Sequence, residues 1–167
     1  MQIEITEAKA NDRPVVERLV QFYQYDFSEI MGGDAGDDGV YDYIALDETW
    51  SDPVAHTYLV RVDGALAGLA IVIARSHFTG ATDVTYMDEF FVMRKYRRLG
   101  VGKEAATRLF DLFSGKWEVA VVAPNTGALG FWRQVIGEYT GGRYEERFEE
   151  SDLWHGPVQT FDTRQRA

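Results

Sequence analysis

The chain has no cysteine, only four prolines, and 17 basic side chains against 27 acidic ones in 167 residues. Without cysteine there can be no disulfide, no thiolate metal site and no cysteine nucleophile. No apolar run reaches the 18 residues that a membrane span needs. The start, MQIEITEAKANDRP, lacks the charged-then-apolar layout of a secretory signal. A cytoplasmic protein with no membrane partner is therefore expected. The shortage of basic residues leaves a formal net charge of -10, which argues against nucleic-acid binding, since that affinity comes mainly from neutralised phosphates. Metal chemistry has no foothold either. His56, His77 and His155 stand apart without ligand spacing, and the acidic stretch MGGDAGDDG (31–39) lacks the alternating ligands and closing glutamate of a calcium loop. The length fits one domain, residues 1–167, with one sizeable core.

Against that acidic background one basic cluster stands out. Arg94, Lys95, Arg97, Arg98 and Lys103 fall within ten residues, RKYRRLGVGK, around the glycine pair Gly100 and Gly102. An apolar strand-like segment precedes the cluster and a helix-like one, AATRLFDLF, follows it. A strand, a glycine turn and a helix make an anion-binding arrangement, because amide N–H groups at a helix start have no helical acceptor and glycine lets a phosphate approach the backbone. A phosphate-bearing ligand is expected here. The spacing does not fit a Walker loop, whose opening glycine would fall on Arg97 and whose Ser/Thr would fall on Glu104. It does not fit a dinucleotide fingerprint either, since no third glycine follows at Ala105.

Elsewhere the pattern is that of alternating strands and helices. Residues 2–8 read as a strand, and Asp12 as the cap of a helix whose Val15, Val16, Leu19, Val20 and Tyr23 share one face. Phe22, Tyr25 and Phe27 fall off that face. The glycine- and aspartate-rich 31–39 stretch reads as a mobile loop or solvated connector. VYDYIALDETW reads as holding a short helix. Asp63-Gly64 between two runs rich in valine, leucine and isoleucine is a type I′ hairpin turn. A helix from Gly100 or Val101 to about Phe113, a strand Trp117–Val122, a helix from Asn125 to about Ile136 stopped by Gly137, and strands 139–149 and 157–163 complete the chain. The order β-α-α-β-β-β-α-β-α-β-β describes an α/β sandwich with a mixed sheet.

Arg97-Arg98-Leu99-Gly100-Val101-Gly102 resembles the R/Q-x-x-G-x-G/A motif of the GNAT superfamily of acyl-CoA-dependent N-acetyltransferases. Other segments resemble the family in the right order. They are the strand Asp88-Glu89-Phe90-Phe91-Val92 before the motif, VAVVAPN after it, the helix start Asn125-Thr126-Gly127-Ala128-Leu129-Gly130-Phe131-Trp132, the hairpin upstream and the closing run GPVQTFDT. The resemblance covers roughly Gln2 to Thr163. It implies about seven strands flanked by about four helices, with the fourth and fifth strands splayed so that the pantetheine arm of acetyl-CoA enters between them.

The resemblance also assigns residues. Backbone N–H groups of Arg98, Leu99, Gly100, Val101, Gly102 and Lys103 would cradle the pyrophosphate, with the Arg97 and Arg98 side chains flanking it. Arg94, Lys95 or Lys103 would reach the 3′-phosphate. Backbone atoms of Phe91 and Val92 would hold the pantetheine, and Asn125 its far end, unless Asn125 serves only as a helix cap. The acceptor would be a primary amine of a small molecule or peptide, attacking the thioester directly in a ternary complex. An alkylammonium with a pKa of about 10.4 needs a base, and Glu89 is the candidate, with a structurally paired carboxylate as the alternative. Asp88 is expected on the opposite face of the strand. The Val92 N–H is the natural oxyanion donor.

Where many family members carry an acidic tyrosine the chain has Trp132, whose indole cannot donate a proton to the leaving thiolate. CoA then leaves unaided, or Tyr139 or Tyr86 substitutes, while Trp132 and Arg133 border the cofactor. Tyr23, Tyr25, Asp26 and Phe27 would line the acceptor side, with Glu29, Asp34, Asp37 and Asp38 favouring a cationic amine. Dimers are common in the family, so a homodimer is compatible with the resemblance. A non-catalytic acyl-CoA-binding or sensing domain is the alternative, and Trp132 is the residue that points to it.

Overall fold

The computed structural model describes residues 1–42 and 45–165. The expected helix within VYDYIALDETW falls partly outside them, at Tyr43 and Ile44. Seven strands, β1 (Ile3–Glu7), β2 (Ala55–Val62), β3 (Ala65–Ile73), β4 (Val84–Val92), β5 (Lys116–Ala120), β6 (Glu145–Glu150) and β7 (His155–Asp162), form one sheet in the order β1-β2-β3-β4-β5-β7-β6. All neighbours are antiparallel except β4 and β5, which are parallel and joined by a helical crossover. Asp63 and Gly64 both have positive φ (48° and 79°), as a type I′ turn requires, so the β2–β3 hairpin forms as its sequence dictates.

Helices α1 (Arg13–Met31) and α2 (Ala45–Ser51) cover one face of the sheet, and α3 (Val101–Leu112) and α4 (Thr126–Thr140) the other. On the first face Val16, Leu19 and Val20 of α1 pack with Leu59, Leu69, Ile71 and Phe91. On the second, Phe110, Trp117, Trp132, Ile136 and Phe161 form an aromatic-rich core with Met87 and Val119. Each large side chain taken out of water here contributes roughly 1.5–3 kcal/mol. Among the described residues no helix is long and apolar enough to cross a membrane.

Two helices run further than their patterns indicate. α1 continues to Met31, where Gly32 (φ 78°) ends it in the left-handed conformation, so Phe27 lies on the helix itself. α4 passes through Gly137 and stops at Gly141 (φ 62°). Burial of Ile136, Tyr139 and Thr140 outweighs the weak helix propensity of Gly137. Asp12 does not cap α1 with its side chain. Its carboxylate accepts the Lys9 N–H at 2.8 Å and closes a short 3-10 turn, Ala10–Asp12, ahead of the helix.

The sheet has one break that matters. β4 pairs with β5 only from Val84↔Lys116 to Met87↔Val119, after which β5 stays with β7 while β4 runs on to Val92. The β3–β4 register shifts between Ile71↔Glu89 and Val72↔Met87, so Asp88 is the extra residue of a β-bulge. Beyond the bulge β3 and β4 approach closely. A Cβ on Gly68 would lie 2.1 Å from the Phe91 carbonyl oxygen. Gly68→Ala is therefore expected to destabilise the fold by about 1–3 kcal/mol, read as a lower midpoint in urea unfolding.

Candidate active site

The end of β4 lies open along the side that β5 has left. The Met93 N–H is bonded to the Ala67 carbonyl of β3 at 2.8 Å. Backbone groups alternate along a strand, so the polar groups of Phe91 face β3 while those of Phe90 and Val92 face the gap. The expectation that Phe91 offers its backbone to a ligand is thus corrected: its main chain belongs to the β3 ladder, and its side chain is buried against α1. The Val92 N–H points into the gap. The Val92 carbonyl does too, and it accepts from Arg97 Nε at 2.7 Å.

Next to the gap the chain makes the turn that the glycines require. Arg98 (φ 60°) and Gly100 (φ 81°) both take left-handed conformations, and Gly100 is the N-cap of α3. Among the described residues, the N–H groups of Arg98, Leu99 and Gly100 make no backbone hydrogen bond. Those of Val101, Gly102 and Lys103 lie in the first turn of α3 and have no helical acceptor. The two glycines serve different ends. Gly100 supplies the backbone conformation, whereas a Cβ on Gly102 would come within 3.2 Å of the Phe131 ring. Six consecutive amides beside a helix N-terminus make a nest for a pyrophosphate.

The cluster's cations are mostly engaged. Arg97 reaches back over the Phe91 ring to Asp26 on α1, and Arg94 binds the same carboxylate at 2.7 Å with Glu29 at 3.8 Å. Partial burial raises the Asp26 carboxyl, but its bonds to Arg97 and Arg94 outweigh that and hold it below the usual carboxylate range. Lys103 pairs with Glu138 and Arg133 with Glu146. Lys95 lies over the Tyr96 ring, and among the described residues neither it nor Arg98 has an acidic partner. Arg98 and Lys95 are thus the cations of the cluster that remain able to meet a phosphate. The Arg97 side chain instead ties α1 to the end of β4.

On the α1 face the bulge has a second effect. Met87 and Phe90 point to the α3/α4 core, while Tyr86, Asp88, Glu89 and Phe91 share the opposite face. Asp88 is therefore beside Glu89 and not across the strand from it, because one extra residue breaks the two-residue alternation. Tyr23 of α1 hydrogen-bonds Glu89. Burial, then the Glu89 carboxylate, push the Tyr23 hydroxyl far above an ordinary phenol. Burial and the charges of Asp88, Glu89 and Glu118 do the same to Tyr86. Burial also pushes the Asp88 carboxyl up, with His77 opposing it.

His77 was not distinguished by sequence, yet its ring stacks on Tyr86 at 4.9 Å and meets the Trp154 ring edge-on at 6.2 Å. It is held there by Ser76, whose hydroxyl lies 2.9 and 3.0 Å from the two oxygens of buried Glu118 and accepts the Thr79 N–H at 3.1 Å. Asp88 and Glu89 thus lie between Tyr23 and Phe27 of α1 and the His77–Trp154 pair. No local motif signals this arrangement, because its members come from α1, β4, the β3–β4 connection and the turn before β7.

The remaining expected residues divide. Tyr23 and Phe27, one helical turn apart with rings 5.6 Å apart, stand on the Glu89 side. Tyr25 is exposed and lines a separate depression with Ser28, Glu29, Tyr41 and Arg94, and Asp26 is committed to the arginines. Asn125 caps α4, its side-chain oxygen accepting the Ala128 N–H at 3.1 Å, which leaves its amide donors beside the gap. Trp132 is buried against Phe90 and Phe131, with ring distances of 5.0 and 4.9 Å. Tyr139 cannot stand in for the missing tyrosine. Its hydroxyl donates to Asp111 at 2.6 Å, and it lies roughly 20 Å along α4 from the first turn of the helix.

An amide nest beside a strand edge that β5 has left, with the Glu89 carboxylate on that strand, is an arrangement that can hold a phosphate-bearing thioester. Residues 17–137 match the acetyltransferase (GNAT) family, and the chain belongs to it. It is thus an acyltransferase of a family that transfers acetyl groups from acetyl-CoA to amines. No curated protein sequence matches the chain. The fold is shared with an acetyltransferase from Thermus thermophilus, at 13% identity over 97% of each chain and a TM-score of 0.71. It is also shared with spermidine N-acetyltransferase from Vibrio cholerae in complex with CoA and spermine, at 12% identity over 99% of this chain and 98% of that one with a TM-score of 0.66. The ribosomal-protein-S18-alanine N-acetyltransferase from Escherichia coli is similar at 13% identity over 97% and 94%, with a TM-score of 0.63. Reversing the unpaired cation, Arg98→Glu, is expected to weaken CoA binding about tenfold in calorimetry, with the loss shrinking at high salt as phosphate attraction is screened.

Proposed function

We propose that this enzyme acetylates a cationic primary amine, by direct attack on acetyl-CoA in a ternary complex, with Glu89 as the base. The observation that carries the reading is the open edge of β4. The Phe90 groups and the Val92 N–H, which β5 leaves without a strand partner, lie between the amide nest and the Glu89 residue of the same strand. Glu89 takes one proton from the ammonium, directly or through water, and the freed nitrogen lone pair attacks the thioester carbonyl. The Val92 N–H receives the developing oxyanion. The C–S bond then breaks and the sulfur leaves as thiolate. The second nitrogen proton goes to that thiolate or to solvent, and the proton on Glu89 returns to solvent.

A cationic acceptor is supported by the face it would meet. Asp88 and Glu89 lie there among the rings of Tyr23, Tyr86, His77 and Trp154, which suit an alkylammonium chain through carboxylate and cation–π attraction. The Vibrio cholerae neighbour acts on spermidine and the Escherichia coli one on a protein alanine, so polyamines and peptide N-termini are the first acceptors to test. Asp26 is not part of this proposal as an amine ligand, because its charge is already neutralised. A purely CoA-sensing role draws no support from the site, since the candidate base is present beside the open edge.

We further infer that residues 1–167 act as one domain in the cytoplasm, without metal, nucleic acid or membrane, and that a homodimer is compatible with this. Thiol release from acetyl-CoA against polyamines, amino acids, aminoglycosides and peptide N-termini identifies the acceptor. Glu89→Gln is expected to lower that amine-dependent rate roughly 100-fold while leaving CoA affinity unchanged in calorimetry. An unaltered rate would remove Glu89 from the mechanism.

A further inference from the structure

We propose that Tyr23 is a positioning residue for Glu89, its hydroxyl holding the carboxylate turned toward the acceptor face from α1. The inference rests on the reading of Glu89 as the base. It differs from the role that position in the chain implied, which was a ring in the wall of the acceptor site.

The argument begins with how firmly Tyr23 is held. Val16, Leu19 and Val20 are buried against the sheet, and Tyr23 continues their stripe by one turn. Its ring is clamped between Phe27 at 5.6 Å and Phe91 at 5.7 Å. Two side-chain torsions locked by packing put the hydroxyl at one place over β4. A hydroxyl has a single O–H to give, and here Glu89 receives it. One carboxylate lone pair is thereby engaged by a donor fixed on α1. Glutamate has three torsions and follows a bulge, so a bond to a ring held by packing narrows its orientation.

The charges around Glu89 make the donor more important. From β4 itself Asp88 and Tyr86 share its face, from β5 comes Glu118, from the β3–β4 connection His77, and from α1 Tyr23. Asp88 and Glu118 are acidic and disfavour a further negative charge, while His77 acts on Asp88. A hydrogen bond donated to the charged form works the other way. Tyr23 thus keeps Glu89 both aimed and ready to accept a proton. The raised Tyr23 hydroxyl fits this role, since it stays protonated and a donor throughout the working range.

The test follows the Glu89 carboxyl carbon by NMR through a pH titration of glutamate-labelled protein, its signal assigned as the one missing from Glu89→Gln. In Tyr23→Phe, which keeps the ring, the Glu89 midpoint is expected to move to higher pH by about half a unit or more. Should that variant fail to fold, 3-fluorotyrosine placed at position 23 gives the opposite sign, because a more acidic phenol donates more strongly and moves the midpoint to lower pH. An unmoved midpoint in the folded variant overturns the role of Tyr23, even beside a crippled Glu89→Gln enzyme. A Glu89→Gln enzyme at full rate with its acceptor removes the base, and this inference with it.

Discussion

One extra residue in β4 organises the whole active face. Asp88 has no counterpart in β3, and from that point β4 bends out of the ladder it shares with β5. Three consequences share that origin. Polar groups at Phe90 and Val92 lose their strand partner: the Val92 carbonyl takes Arg97 in its place, and the Phe90 groups and the Val92 N–H face the gap, where an unpaired N–H or C=O must find a partner or water. Asp88 and Glu89 come to lie on one face and not two. The cradle at Arg98 to Lys103 is delivered to the mouth of the resulting gap, because α3 starts directly after the freed strand. A regular strand would close the gap and bury its edge. The bulge costs a ladder interaction locally, and burial on both faces of the sheet is what sustains it.

Electrostatics around the cradle follow a division that composition alone does not reveal. Of the cations in the basic run, Arg94, Arg97 and Lys103 are paired with carboxylates of α1 and α4. These exposed pairs each contribute little to stability, typically about 0–1 kcal/mol. Their geometry matters more than their energy. Arg97 joins Asp26, the Phe91 ring and the Val92 carbonyl, so the helix that carries Tyr23 and Phe27 is pinned to the strand that carries Glu89. Among the described residues, the backbone amides of the turn and the side chains of Arg98 and Lys95 are left without an acidic partner. In a chain with a formal net charge of -10, amides offer an anion site that neighbouring carboxylates cannot neutralise.

The acceptor side shows how a polar face is assembled on an apolar sheet. Several polar groups there are held by a specific partner. Glu118 is met by Ser76, Ser76 orders the turn at Thr79, and that turn lays His77 on Tyr86. Tyr23 meets Glu89 from the other side. Aromatic rings supply the walls, so charge is concentrated at the floor, where the reacting amine would lose its proton.

Much of this was legible in the chain itself. Asp63-Gly64 requires a type I′ hairpin, Gly100 a left-handed helix cap, and Asn125 three residues before Ala128 a capped helix, because each depends on local backbone conformation. The order of strands and helices follows from the same short-range rules. Sequence by itself therefore determined the family and the layers. It could not determine which face Asp88 takes, since DEFFV reads as plain alternation until β3 sets the register. Nor could it tell that Arg97 turns to Asp26, that Tyr139 is spent on Asp111, or that His77 joins the site. Those outcomes were decided by tertiary structure, for one physical reason: each depends on a partner that local pattern does not specify, and only packing of the helices on the sheet brings the two together.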